Sequence, residues 1–262
     1  VEDTLFVPML GRIYASEHCP QILYDKKALE LKNKLPSDLI EQNKQNQYTL
    51  LASASRSANM DRIIRDFLER RPNGAIVQLG CGLETTYYRC DNGRAHWYAV
   101  DLPHVIEYRR GLLPEPEREC YISGNAFAKD WIKKVRDEVL DTPILVIASG
   151  LFHYFEENKV IALLRMIGQF GNMEVVFDTV NRKGMAMMQK KYMRQVGHAD
   201  AQMFFYVDAV EELAAKIGGN AKVIADEPYY RYIPKNGLKM STKVSMAVSD
   251  RFCMVKMIQL KL

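Results

Sequence analysis

Two glycines and one acid carry the clearest chemical signal in the chain. Gly80-Cys81-Gly82-Leu83-Glu84-Thr85 follows directly on the apolar run Ala75-Ile76-Val77-Gln78-Leu79. Glycines at 80 and 82 let the backbone turn tightly and come close to a ligand. Asp101 stands 21 residues after Gly80, where a second apolar run, Trp97 to Val100, ends. A carboxylate at that place can accept hydrogen bonds from both hydroxyls of an adenosine ribose. Strand, turn and acid together point to an adenosine-bearing ligand. A dinucleotide fingerprint would carry a third glycine near position 85, and Thr85 stands there, which disfavours a nicotinamide cofactor. The plain alternative is a pair of turn glycines and an aspartate cap.

Other chemistries find less support. His18, His96, His104 and His198 have no spacing that suggests a metal site, so no metal is expected. No glycine-flanked serine with a Ser-His-Asp order marks a hydrolase. The five cysteines (Cys19, Cys81, Cys90, Cys120, Cys253) are scattered, with no pair at two-residue spacing, and read as reduced thiols.

The elements that must hold the glycine turn follow from periodicity. Short apolar runs at Ala75–Leu79, Trp97–Val100, Ile144–Ala148 and Val175–Phe177 alternate with helical stretches, the pattern of a parallel sheet covered by helices. Helices are expected over Met60–Arg70, Glu157–Phe170 and Val207–Ile217, the last ended by Gly218-Gly219. The chain then returns towards the sheet through Val223–Ala225. The tail, Thr242–Met246 and Phe252–Leu260 joined through Ser249-Asp250, reads as two extended runs meeting in an antiparallel hairpin. A single domain over residues 1–262 is expected, with residues 1–50 as a helical cap over the C-terminal edge of the sheet.

Composition excludes several classes. The 262 residues are 48% hydrophobic and 26% charged, which is globular and not disordered. The net charge of +4 is spread along the chain, so a nucleic-acid partner is not expected. No apolar run approaches the ~20 residues of a membrane helix, and the first ten residues lack a leader pattern. A soluble, cytoplasmic protein without a membrane partner is the expectation.

The stretch QLGCGLETTYYRCDNGRAHWYAVDLPHVIEYRRGLLP, Gln78 to Pro114, resembles the leucine carboxyl methyltransferase family, in particular its tetracenomycin-type polyketide O-methyltransferase branch. Weaker similarity takes in Arg56 and Asp61 upstream, and IASGLFHYFEENKVIALL, VVFDTVN and PYYRYI downstream. The resemblance implies an α/β, Rossmann-like class I S-adenosylmethionine-dependent methyltransferase. Its sheet would be seven-stranded and mostly parallel, with an antiparallel C-terminal hairpin, N-terminal helices and a substrate lid over residues 181–206. Gly80 and Gly82 would lie against the methionyl and ribose portions of the cofactor, Asp101 would bind the ribose, and Leu102 would meet the adenine. Arg56 would pair with the cofactor carboxylate, with Arg12 as a second contact. Asn125 and Ala126 fall where the family has an acid facing the adenine amino group, and an Asn oxygen can still accept from that amine. Ser149-Gly150 stands where the family carries a glutamate and a small residue near the cofactor's amino group.

Methyl transfer asks the protein to hold a nucleophile in line with the methyl and to exclude water. The expected reaction is O-methylation of a small-molecule acceptor, a carboxylate or a phenolic hydroxyl. A carboxylate needs no base, whereas a phenol benefits from one, and His153 in Leu151-Phe152-His153-Tyr154-Phe155 is the catalytic candidate. A histidine filling an aromatic wall is the competing reading. The methionines and aromatics between Met185 and Phe205 suit an apolar lid, or else a core helix. The alternatives are a cofactor-binding protein without turnover, a protein carboxyl methyltransferase, and a nicotinamide-dependent oxidoreductase. A homodimer is possible.

Overall fold

The computed structural model describes residues 2–36, 45–195 and 203–262. Its centre is strand β1 (Ala75–Leu79), buried at all five positions. Such a strand needs apolar neighbours on both faces, as parallel strands between helices do. Ala75, Val77 and Leu79 point into one layer, and Ile76 into the other. β2 (His96–Asp101), β3 (Glu119–Ser123), β4 (Ile144–Ala148) and β5 (Met173–Val180) run parallel to β1. β6 (Lys222–Pro228) and β7 (Val255–Lys261) complete a seven-stranded sheet in the order β3-β2-β1-β4-β5-β7-β6, with β7 antiparallel to both neighbours. Strand order reverses between β1 and β4, and ligands of such sheets bind at the C-terminal ends beside that reversal.

Helices cover both faces. In chain order they are α1 (Glu2–His18), α2 (Lys26–Leu31), α3 (Gln47–Arg70), α4 (Thr86–Cys90) and α5 (Pro103–Leu112), then α6 (Asp130–Val139) and α7 (Glu157–Gly168). α8 (Arg182–Gln195), α9 (Val210–Ile217) and α10 (Met240–Arg251) complete the set. Trp131 of α6, Leu163 of α7 and Leu213 of α9 enter one core layer, and Met60, Ile64 and Phe67 of α3 enter the other with Met246 of α10. Phe6, Met9 and Ile13 of α1 pack with Leu31, Leu83 and Leu113, which seats α1 over the glycine turn at the C-terminal ends of the strands.

The expected α/β architecture is present, and its misread parts have physical causes. Thr242–Met246 is not a strand: it lies in α10, where the buried residues Thr242, Met246 and Ser249 repeat at helical spacing. The antiparallel partner of β7 is instead β6, so the sheet does close as expected, with a helix between its last two strands. The helix expected from Met60 begins at Gln47, capped by Asn46, whose side chain accepts from Thr49 N. β3 has no counterpart in the sequence reading. Its five residues include Glu119, Cys120 and Ser123, which hide the apolar pattern.

Gly184, in the first turn of α8, sits where a Cβ would come within 2.3 Å of the Met254 carbonyl oxygen. Gly184→Ala is expected to shift α8 against the entry to β7 and to cost about 1–3 kcal/mol, measured by urea unfolding. An unchanged midpoint would show that this contact relaxes freely.

Candidate active site

β1 runs into the glycine turn with Gly80 at φ +62° and Gly82 at φ +47°, the left-handed region that glycine enters without steric cost. The turn is then tied to the neighbouring strand. Gly80 N and Cys81 N donate to the Val100 carbonyl, and Gly82 N donates to Asp101 Oδ2 at 2.8 Å. Asp101 Oδ1 accepts from Leu102 N at 2.8 Å. Each carboxylate oxygen uses one lone pair in this way and keeps capacity for ligand hydroxyls. The carbonyls of the turn are held from the other side by two arginines that bury almost completely. Arg109 of α5 donates to Gly82 O (3.1 Å) and Glu84 O (2.7 Å), and Arg12 of α1 donates to Leu83 O (2.7 Å).

These arginines need counter-charges, because an unpaired buried guanidinium is costly. Arg12 pairs with Asp25 (3.2 Å) and Glu84 (3.0 Å), and Arg89 of α4 pairs with Asp25, Asp61 and Glu84 at 2.6–2.9 Å. Glu84 accepts four bonds: Arg12 Nη1 and Ser57 Oγ on Oε2, Arg89 Nη2 and Thr85 N on Oε1. Its capacity is thereby filled. Burial alone would raise the Glu84 carboxyl, but Arg12 and Arg89 outweigh it and hold it well below the usual carboxylate range.

A second group forms beside the end of β4. Asp178 of β5 stands one residue beyond the Ala148–Phe177 pair, level with Ser149. Its Oδ1 accepts from Gly150 N at 2.6 Å, and its Oδ2 lies 2.9 Å from Arg56 Nε and 3.2 Å from His153 Nε2. Burial would raise this carboxyl too, and Arg56 and His153 together with the Gly150 amide bring it well below its ordinary range.

Between the two groups, where strand order reverses, lies a cavity of about 190 Å³. Its walls include Gly80 and Gly82 of the turn, Arg56 of α3, Ser149, Tyr154 and, from α1, Leu5. The Gln78 amide nitrogen, on a residue that also lines this space, is buried without a hydrogen-bond partner. Buried donors in proteins are satisfied as a rule, so an unpaired one facing a cavity marks a place for a ligand acceptor. At 190 Å³ the space is smaller than the ~300–1,000 Å³ of whole-ligand sites, and suits one end of an extended molecule.

The structure brings together Arg56, Gly80, Gly82 and Ser149 in this cavity, with Asp101 bonded to its rim. Leu102 lies outside, 45% exposed. Asn125 is close to the end of β2, because Gly124 N donates to the Asp101 carbonyl, but its Oδ1 accepts from Phe127 N. Asn125 therefore caps its loop, and Ala126 uses its carbonyl to accept from Trp131 Nε1. Arg12 lines the cavity, yet its donors go to Asp25, Glu84 and Leu83. His153 is buried behind Asp178 and does not line the cavity, while its neighbour Tyr154 does. Of the lid expected over residues 181–206, positions 196–202 lie outside the described residues. The sequence reading missed Asp178 and Glu84. The signal for Asp178 was an acid inside the apolar run Val175–Val180, which only a buried partner can tolerate.

The model of the leucine carboxyl methyltransferase family matches residues 8–168, well over half of the chain. The chain belongs to that family. The matched span carries the glycine turn, Arg56, Asp101 and the named cavity walls except Leu5. A relative within reach of this methyltransferase is the tetracenomycin polyketide synthesis O-methyltransferase of Streptomyces glaucescens, 28% identical over 182 residues. That alignment covers 69% of this chain and 66% of the relative, slightly less than two thirds of the relative's length. A DUF574-family protein of Streptomyces avermitilis superposes with a TM-score of 0.61 at 12% identity, over 96% of both chains. Magnesium protoporphyrin IX methyltransferase of Synechocystis, solved with S-adenosylhomocysteine, superposes with a TM-score of 0.52 at 8% identity, over 90% of this chain and 99% of that one. These likenesses show that the chain shares the Rossmann-like fold of those proteins.

Glu84 gives this methyltransferase a pH signature. A carboxyl depressed in the folded state contributes stability that is complete above its unfolded value of 4.5 and is lost as pH falls towards the folded value. Glu84→Gln is expected to cost about 3–5 kcal/mol near neutrality. In urea unfolding, its gap to the unaltered protein should narrow from pH 5 to pH 3, by up to about 1.4 kcal/mol per pH unit. A gap independent of pH would show that the fold does not hold the Glu84 carboxyl below its unfolded value.

Proposed function

We propose that the protein is an S-adenosylmethionine-dependent O-methyltransferase acting on a small-molecule acceptor that offers a carboxylate or a phenolic hydroxyl. The observation that carries this reading is the cavity at the strand-order reversal, where the guanidinium of Arg56 faces a glycine turn clamped by Asp101. The methyl donor, when bound, supplies an activated methyl group on a sulfonium.

The residues fit that donor. Arg56 offers a planar guanidinium to its carboxylate, the geometry guanidinium and carboxylate share. Gly80 and Gly82 allow close backbone approach, and the open lone pairs of Asp101 suit two ribose hydroxyls. Leu102 and Ala126 flank the end of β2 on the side where the adenine would lie. The cavity would then take the amino-acid end, with the adenosine over Asp101 and Leu102, in keeping with its small volume. Tyr154 at the wall orients the acceptor and Leu5 shields the reacting centre from water. The polyketide O-methyltransferase relative supports a small, largely apolar acceptor, as do Phe204 and Met187, about half exposed near the end of β5.

One observation favours the reading without turnover. Glu84 accepts four bonds from protein partners, so it has no free lone pair for the donor's ammonium group. Steady methyl transfer to any acceptor would reject it.

The test is calorimetric titration with S-adenosylmethionine, S-adenosylhomocysteine and NADH. Micromolar binding of the first two alone is expected. Asp101→Ala removes two charge-assisted hydrogen bonds worth about 1.5–3 kcal/mol each, so a loss of at least about a hundredfold in affinity is expected. Unchanged affinity would refute the placement of the ribose.

A further inference from the structure

His153 combines features that a proton-transfer role does not explain. It is buried, stands outside the cavity, and presents Nε2 to Asp178 Oδ2 at 3.2 Å. An ionised carboxylate can only accept, so the shared hydrogen sits on Nε2. Nδ1 is itself buried and without a partner. A base must come within hydrogen-bond reach of the proton it removes; one ring nitrogen of His153 faces Asp178, the other is enclosed by protein, and neither faces the cavity.

What His153 does touch is the support of Arg56. Asp178 Oδ2 is shared between His153 Nε2 and Arg56 Nε, 2.9 Å away, and Asp178 Oδ1 is fixed by Gly150 N. The Arg56 guanidinium packs against Gly150, where a Cβ would meet its Nη1 at 2.5 Å. Glycine at 150 leaves room for the guanidinium, Asp178 anchors it from behind, and His153 fixes the carboxylate that anchors it. The main chain of His153 reaches the other way: its carbonyl accepts from Phe204 N at 2.8 Å.

We propose that His153 is a positioning residue that acts through Asp178 to aim Arg56 at the carboxylate of the methyl donor, and that it takes no proton from the acceptor. The proposal rests on the cavity being the donor site, and it adds Asp178 and Gly150 to the residues that build that site.

Two ligands separate this role from general damage. S-adenosylhomocysteine carries the amino-acid carboxylate, whereas 5′-methylthioadenosine keeps the adenosine and the thioether and lacks it. Calorimetric titration of the whole chain is expected to show that H153L and D178N each weaken S-adenosylhomocysteine at least tenfold and leave 5′-methylthioadenosine within twofold. H153Q, whose amide nitrogen can donate from the place of Nε2, should bind both ligands within twofold of the unaltered protein. Thermal melts identify any variant that fails to fold, and substitutions at two positions keep the test open if one does.

S-adenosylhomocysteine affinity unchanged in folded H153L and D178N would overturn the proposal. So would an equal loss for both ligands, or a failure of H153Q to restore affinity. If the unaltered protein binds neither ligand, the donor-site reading falls first and takes this proposal with it.

Discussion

The need to neutralise buried guanidinium groups governs this molecule more than any other single constraint. Arg12, Arg89 and Arg109 are withdrawn from water to hold the glycine turn and the helices around it, and Arg56 is partly withdrawn to face the cavity. Each such charge carries a desolvation penalty of several kcal/mol, recovered only when acids and carbonyls surround it closely. Asp25, Asp61, Glu84, Glu119 and Asp178 meet that requirement, and they arrive from five different elements or loops. The positions of α1, α3 and α4 relative to β1 are set by these pairings as much as by apolar packing.

The two charge groups divide the site. On one side, Arg12, Glu84 and Arg89 use their hydrogen-bonding capacity on one another and on the turn, which gives a rigid wall with little left for a ligand. On the other, Arg56 is held mainly through Nε, so that its guanidinium can still line the cavity. Two arginines that look equivalent in the sequence thus differ in what remains available to a ligand.

Much of the fold was legible because its signals were local. The boundaries of β1 and β4 follow from short, mainly apolar runs, and the glycine turn from residue type alone. β3 was not legible, since Glu119 finds its partner in Arg109 ten residues earlier, and a polar residue that is buried through pairing looks exposed in a sequence. α10 was misread because Val, Thr and Met suit either a strand or a helix, and the deciding contacts, with α3 and β6, are distant in sequence. In the site, Gly80, Gly82, Arg56 and Ser149 line one cavity; residue type marked the glycines, and only the family resemblance marked Arg56 and Ser149. Asn125 shows the limit: its type fits an amine-facing acceptor, but its nearest donor is the Phe127 amide two residues on, and short-range geometry takes it.

The link between α1 and the turn bears on how the chain acquires its structure. Arg12 and Asp25 pair with each other across thirteen residues, but Glu84 and Arg89 join them only after some sixty further residues have been made, so the full network cannot close until β1 and α4 exist. Pairings so remote in sequence form late, after loop closure has been met by nearer contacts. The wall of the cavity that these pairs build is then expected to become ordered only after β1, the glycine turn and α4 have formed.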